Sequence, residues 1–383
     1  MPEPFFMSQN RLLSFVVAFL LMVALSTSTG CGDALSQGGT PLADSPAQPN
    51  DDSGSGSSTT AAGDIALRDR IDAVLDFSAK RYLDTSKHGA WQILHGVLAF
   101  GPELRIRHEG QLKRAVDVIS EGGMIYGFLL RPTEHGLDSI VQAGSLQGQG
   151  HDDQWLAELT QANLNLDFPI RWGEKDYTLG DMLRQAQWDL NANSEATWTL
   201  MALATFLPID AEWDSSDGTT WNFPKLLELE VSRDINDPEI SACGGTHRLV
   251  GLCLAVNNYM ASHPGAKLTG PWAKADLKIQ EAITKAKEFQ QSDGAFSAQY
   301  FVRPAVTPEV EERIGTTGHT LEFLSFAMTK QQFEERWVAN AANHLCELLE
   351  ATKDQPVECG ALYHAIHGLQ RYRYRIWGPP EVK

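Results

Sequence analysis

An all-α fold, an (α/α)6 toroid of about six inner and six outer helices, is predicted by three features of the 383-residue chain. Helical periodicity runs from about residue 64 to the end, with almost no alternating strand pattern. Nearly apolar helices alternate with amphipathic ones at a spacing of roughly 50 residues. A short motif built on histidine or tryptophan recurs at the starts of the apolar set.

The toroid is expected over residues 64–383, after an address and a tether. Leu12 to Leu25 form an apolar run broken by Ser14, preceded by Arg11 and followed by Ser26-Thr27-Ser28-Thr29-Gly30-Cys31. A bilayer span takes roughly 20 residues, so this run fits instead the centre of a secretory signal over residues 1–31. A start at Met7 would remove Glu3 and two prolines from its front. Ser28-Thr29-Gly30-Cys31 resembles a bacterial lipobox, whose cysteine is lipidated and becomes the new N-terminus. That resemblance implies an anchor on Cys31 in a membrane of the cell envelope, facing the periplasm or the exterior. With ordinary signal cleavage the chain would be secreted. Residues 32–63, centred on Asp51-Asp52-Ser53-Gly54-Ser55-Gly56-Ser57-Ser58, offer too little apolar surface to offset chain entropy and read as a disordered tether.

The six inner helices are recognised by their repeat. His247, His319 and His364 are each followed at +2 by Leu249, Leu321 or Ile366 and at +5 by Leu252, Leu324 or Leu369. Trp198 follows the same rule through Leu200 and Leu203, and Trp91 follows it at +2 with Ile93. The sixth member starts at His151-Asp152 and is the weakest match. Gly89, Gly244-Gly245, Gly318 and Gly360 crowd the starts, where glycine lets helix ends approach closely. The outer helices are expected at about 65–84, 110–121, 178–190, 223–233, 272–291 and 331–351, with long connections at 122–150 and 292–316 that could form lids.

The alternation, together with Gln290-Gln291-Ser292-Asp293-Gly294-Ala295-Phe296, resembles the terpenoid cyclase and protein prenyltransferase toroids, which repeat a Gln-x-x-x-Gly-x-Trp/Phe turn. Trp213 to Trp221 with Asp217-Gly218 reads as a degenerate second copy. The chain also resembles an uncharacterised bacterial lipoprotein family with Cys-Gly-Gly-Thr-His and Gly-His-Thr-Leu-Glu motifs. Some of its members are described as activators of ADP-ribosylation-factor GTPases. Such activators need a four-cysteine zinc module, which the five widely spaced cysteines here do not supply.

Charge narrows the partners. With 31 Lys+Arg against 49 Asp+Glu, the net charge of −18 excludes broad nucleic-acid binding, which needs basic clusters. Cysteine spacing also excludes a disulfide scaffold. The strip Arg371-Tyr372-Arg373-Tyr374-Arg375 is expected to bond acidic neighbours.

In such a ring the inner N-termini share one mouth, where partial positive ends favour anionic groups. The candidate site residues there are His88, His151, Asp152, Glu195, Cys243, His247, Arg248, His319, Glu322 and His364. A shared polar pocket of this kind is a candidate enzyme site for a polar small molecule or glycan. Cys243 and His247, at i,i+4, are expected on one helix face; with His319 they offer thiolate and imidazole ligands suited to zinc. Asp152, Glu195 and Glu322 offer carboxylates for acid–base work on a carbohydrate, with Trp91, Trp155 and Trp198 to stack sugar rings. Hydrolase, lyase and epimerase chemistry all remain open. The resemblance to isoprenoid enzymes implies cyclisation or prenyl transfer, but Asp-x-Asp-Asp and Asp-Asp-x-x-Asp are both absent. The non-enzyme alternative is a lipid-tethered envelope scaffold in which Arg248 grips a carboxylate.

Overall fold

The computed structural model describes residues 56–142, 145, 147–234 and 242–378. The signal segment, Cys31 and most of the expected tether lie outside the described residues. Within them the chain is all-α, with thirteen helices and four two-stranded hairpins. The first half carries α1 (Gly56–Ser78), α2 (Ala90–Phe100), α3 (Ala115–Ser120), α4 (Gln154–Gln161), α5 (Leu179–Asp189), α6 (Thr197–Phe206) and α7 (Phe223–Ser232). The second half carries α8 (Thr246–Ser262), α9 (Gly270–Glu288), α10 (Val310–Ala327), the single turn α11 (Lys330–Phe333), α12 (Arg336–Ala351) and α13 (Cys359–Trp377). No described helix is long and apolar enough to cross a membrane.

Helices α2, α4, α6, α8, α10 and α13 are the predicted apolar set, and they are buried nearly all round. They pack in order, α2 on α4, α4 on α6, α6 on α8, α8 on α10 and α10 on α13, and α13 returns to α2. The packing therefore runs in a closed cycle. Glycine permits its tightest contact: a Cβ on Gly318 of α10 would lie 2.6 Å from the Cα of Ala365 in α13. Outside this cycle, α1 is held to the C-terminal helices by ion pairs, where Arg70 meets Glu350 of α12 and Asp72 meets Arg373 of α13 at 2.8 Å. Arg371 and Arg375 depart from the expected acidic pairing. They bond Ser325 Oγ and the carbonyls of Ser325 and Met328, and stack on Phe326 and Phe333.

Several boundaries differ from expectation. Helix α1 begins at Gly56, inside the stretch read as tether. The outer helix expected at 110–121 begins only at Ala115, because Arg105–His108 and Gln111–Arg114 form a hairpin, β1–β2. Its turn residues Glu109 and Gly110 both have positive φ, 50° and 76°, the conformation that matches strand twist in two-residue hairpins. A second hairpin, β3–β4 (Leu130–Pro132, Leu137–Ser139), lies in the long 122–150 connection. The pairs β5–β6 (Pro169–Trp172, Lys175–Thr178) and β7–β8 (Glu212–Asp214, Thr220–Asn222) precede α5 and α7, just as β1–β2 precedes α3. Trp213 and Trp221 are thus cross-strand partners of a hairpin, not a second copy of the Gln-rich turn. That turn itself is a clamp, because Gln290 donates to the carbonyls of Gly294 and, at the start of α12, Trp337.

Candidate functional site

The N-terminal portions of α2, α6, α8, α10 and α13 surround a cavity of about 500 Å³. Its floor is built by histidines from four of the six apolar helices. His95 of α2, His247 of α8, His319 of α10 and His364 of α13 pack ring against ring. Their centroids lie 4.0 Å apart for His319–His364, 4.9 Å for His247–His364, and 5.3 Å for both His247–His319 and His95–His364. Trp91 and Trp198 line the walls, 4.1 Å from His95 and 4.5 Å from His247.

Hydrogen bonds from behind the rings set the tautomers. His319 Nδ1 is 2.7 Å from the Gly315 carbonyl and His95 Nδ1 is 2.7 Å from the Trp91 carbonyl. A carbonyl only accepts, so each ring carries its proton on Nδ1 and has a lone pair on Nε2. Glu322, 3% exposed, accepts Nδ1–H from His364 at 2.7 Å and from His367. His319 Nε2 is buried without a hydrogen-bond partner. Burial, reinforced by the nearby His364, lowers His95 and His319 to about 3 and holds His247 well below the ordinary imidazole value. These rings are neutral, which is the form that binds a metal.

Cys243 reaches the cluster through an unusual turn. Cys243, Gly244 and Gly245 have φ of 51°, 64° and 76°, three successive left-handed residues before α8 starts at Thr246. The expected helical i,i+4 relation of Cys243 to His247 is therefore replaced by a turn that folds the thiol back over the helix start. Only glycine fits at its centre, since a Cβ on Gly244 would stand 2.2 Å from Cγ of Tyr300. A non-glycine residue in this region costs on the order of 1 kcal/mol, and Cys243 bears that strain at the cavity wall.

The ligand atoms of Cys243, His247 and His319 all lie within 4.8 Å of one another. Tetrahedral zinc with bonds of about 2.0–2.3 Å places its ligands about 3.3–3.7 Å apart, so a contraction of about 1 Å would close the set. The donors are one thiol and two neutral imidazoles, the fit expected of zinc. Burial pushes the Cys243 thiol up to about 12, so a metal held there would have to displace its proton.

The other predicted residues divide. His151 lines the cavity, and its Nδ1 is 2.8 Å from Glu195, both side chains remaining part-exposed. Glu195 itself lines a small adjoining pocket. Glu322 lies beneath the floor and acts through His364. His88 is turned away, its ring nitrogen accepting from the Asp84 amide at 2.9 Å. Asp152 is exposed and is absent from the lining. Arg248 is 1% exposed, bonds Glu230, 0% exposed, at 2.8 Å, and lines the same small adjoining pocket as Glu195 instead of the main cavity. Trp155 is fully buried core.

The structure adds residues not singled out in the sequence. His95 lies one turn beyond Trp91, and that spacing on an inner helix was the signal that could have found it. Gln154 donates to buried Glu158 at 3.0 Å, and burial pushes the Glu158 carboxyl well above the carboxylate range. Tyr300, Glu311, Glu312 and Glu358 complete the lining. No signal marked these four, because loops and exposed acids carry no period.

Comparison with known proteins finds no matching family model, no match among curated proteins and no match among solved structures. The functional reading therefore rests on the residues and geometry of this chain.

Proposed function

We propose that this chain is an exported, lipid-anchored enzyme with an α/α-toroid domain that uses a zinc centre to act on a carbohydrate or related polar polymer, most simply by hydrolysis. The observation that carries the reading is the convergence of Cys243, His247 and His319 to within 4.8 Å, with His319 Nε2 buried and unpartnered among them. An unsatisfied buried polar atom calls for an explanation, and a metal bound by the three residues supplies one. The closed cycle of inner-helix contacts supports the toroid, while export and the anchor on Cys31 rest on residues 1–31.

Zinc bound there would polarise a substrate oxygen and activate water. The chain's own residues divide the remaining work. Glu322 holds the His364 ring, and the Gly315 carbonyl holds that of His319. His151, oriented by Glu195, stands at the wall where a proton can be taken up or delivered. Trp91 and Trp198 offer flat faces to a sugar ring, and a volume of about 500 Å³ suits a small ligand or the end of a polymer.

Metal content of the purified chain tests this directly. About one zinc per chain is expected, lost in both Cys243→Ser and His319→Ala. A wild-type protein that takes up no zinc, nickel, cobalt or iron at micromolar concentration overturns the reading.

A further inference from the structure

Three carboxylates, Glu311, Glu312 and Glu358, line the cavity without taking part in the proposed metal set. All three are exposed, and neither lysine nor arginine is among the lining residues. Their hydrogen bonds come from their own surroundings. Glu358 accepts from the amides of Gly360 and Ala361 at 2.8 Å each, capping α13, and Glu312 accepts from the Thr307 hydroxyl at 2.6 Å. Glu311 accepts from the backbone amide of Glu358 at 3.2 Å, which seats its carboxylate at the start of α13. None of these bonds neutralises a charge.

The indole of Trp91 stands beside them. A Cβ on Gly360 would lie 2.8 Å from Trp91 Cη2 and 3.1 Å from Glu358 Oε2. The indole and the carboxylate therefore flank the same glycine, and any larger residue would fill the gap between them. The same cavity contains His319 Nε2, on a side chain 5% exposed and without a partner. That orphan, given to the metal in the proposed function, marks the cavity as a ligand site, while the charge of the substrate rests on the carboxylates and Trp91 alone. Carboxylates beside an indole, in a concave site that concentrates their field, select organic cations.

We propose that the substrate carries protonated amines, its ammonium group held beside Trp91 by Glu358 and Glu311, so that the polymer is an amino sugar with free amines. The inference rests on the proposed function for the sugar, and on the lining carboxylates and Trp91 for the charge. A neutral or acidic glycan would leave the carboxylates unpaired or opposed.

The test is calorimetric titration of the full chain, supplied with zinc, at about pH 6 and low salt. The probes are a tetramer of glucosamine, its fully N-acetylated counterpart and a tetramer of a uronic acid. The amine tetramer is expected to bind at least tenfold more tightly than the acetylated one. That preference should shrink about three- to tenfold in the Glu311→Gln/Glu312→Gln double variant, and should weaken in high salt. Glu358 is left intact because it caps α13. Melting curves establish that the variant is folded, and loss of preference in wild type at high salt gives the same reading without mutation. Equal or weaker binding of the amine, no binding of any tetramer at millimolar concentration, or a preference untouched by both variant and salt overturns the proposal. Zinc stoichiometry is measured on the same sample. Zinc without amine preference refutes the charge inference alone, and amine preference without zinc refutes the metal reading alone.

Discussion

Replacing Glu322 by glutamine removes charge and keeps shape at the point where two histidines are held. Glu322 is 3% exposed and accepts a ring N–H from His364 and another from His367. A glutamine side chain keeps one acceptor oxygen and turns an NH₂ toward the other ring. One histidine must then oppose two donors or move its proton to Nε2. A hydrogen bond to a buried charge is worth about 1.5–3 kcal/mol, and a stranded buried donor costs about 1–3 kcal/mol. About 3 kcal/mol of destabilisation is therefore expected. A folded unit of about 330 residues unfolds with an entropy near 2.1 cal/mol/K per residue, so the metal-free melting temperature should fall by about 4 °C. Zinc affinity should fall about tenfold or more, because the ring that Glu322 orients packs 4.0 Å from His319 and such supporting contacts tune a metal site. Thermal denaturation with and without zinc reads both effects. A melting temperature within 1 °C of wild type, with unchanged zinc stabilisation, would refute the claim that Glu322 organises the cluster.

Three further outcomes follow from buried or strained positions. Burial raises Asp153 from 3.8 to about 7, so its contribution to stability is full below about pH 4, declines as pH rises to about 7, and is flat above. Asp153→Asn, which keeps an acceptor for the Thr199 hydroxyl and tolerates the left-handed backbone at φ 57°, should be more stable than wild type at pH 8. The gain should be about 2 kcal/mol after allowing for partial exposure, and should vanish near pH 4; urea denaturation at the two pH values checks it. Gly244→Ala places a Cβ 2.2 Å from Tyr300 at a φ of 64°, and should cost about 2–3 kcal/mol and lower zinc content. Retention of both stability and metal would remove the role given to this turn. Arg248→Ala removes the nearest cation from Glu230, 0% exposed, leaving it the Thr197 hydroxyl at 3.0 Å and Arg233 at 3.9 Å, and should cost about 3 kcal/mol, while the folded fraction still binds zinc; a loss of zinc without a loss of stability would make Arg248 part of the metal site.

The helices were legible because each inner one carries a period and each outer one an apolar stripe. The spacing of His247, His319 and His364 to the leucines or isoleucine behind them located three of the four floor histidines. His95 escaped because the inner repeat was anchored on Trp91, one turn earlier. The hairpins escaped because strands of three or four residues, such as Arg105–His108, are too short to show alternation above noise. His319 was placed at a helix start, yet α10 begins at Val310, so the ring lies two and a half turns in. The sequence showed the repeat but could not show how far a polar first turn, Glu311 and Glu312, extends the helix ahead of it. Arg248 and Asp152 looked equivalent to the histidines beside them, because spacing along a chain does not report which face turns inward.

The join between α13 and α2 has a consequence for how the protein comes into being. The contacts that close the cycle link residues some 270 positions apart, as between His95 and His364. Contacts of such separation form late and slowly, since the chain between their ends must be organised first. His364 and the cap residue Glu358 both arrive with that last helix. During synthesis the cluster therefore lacks one of its four rings until α13 has been made, and a chain cut short before α13 should have neither a closed core nor a complete site.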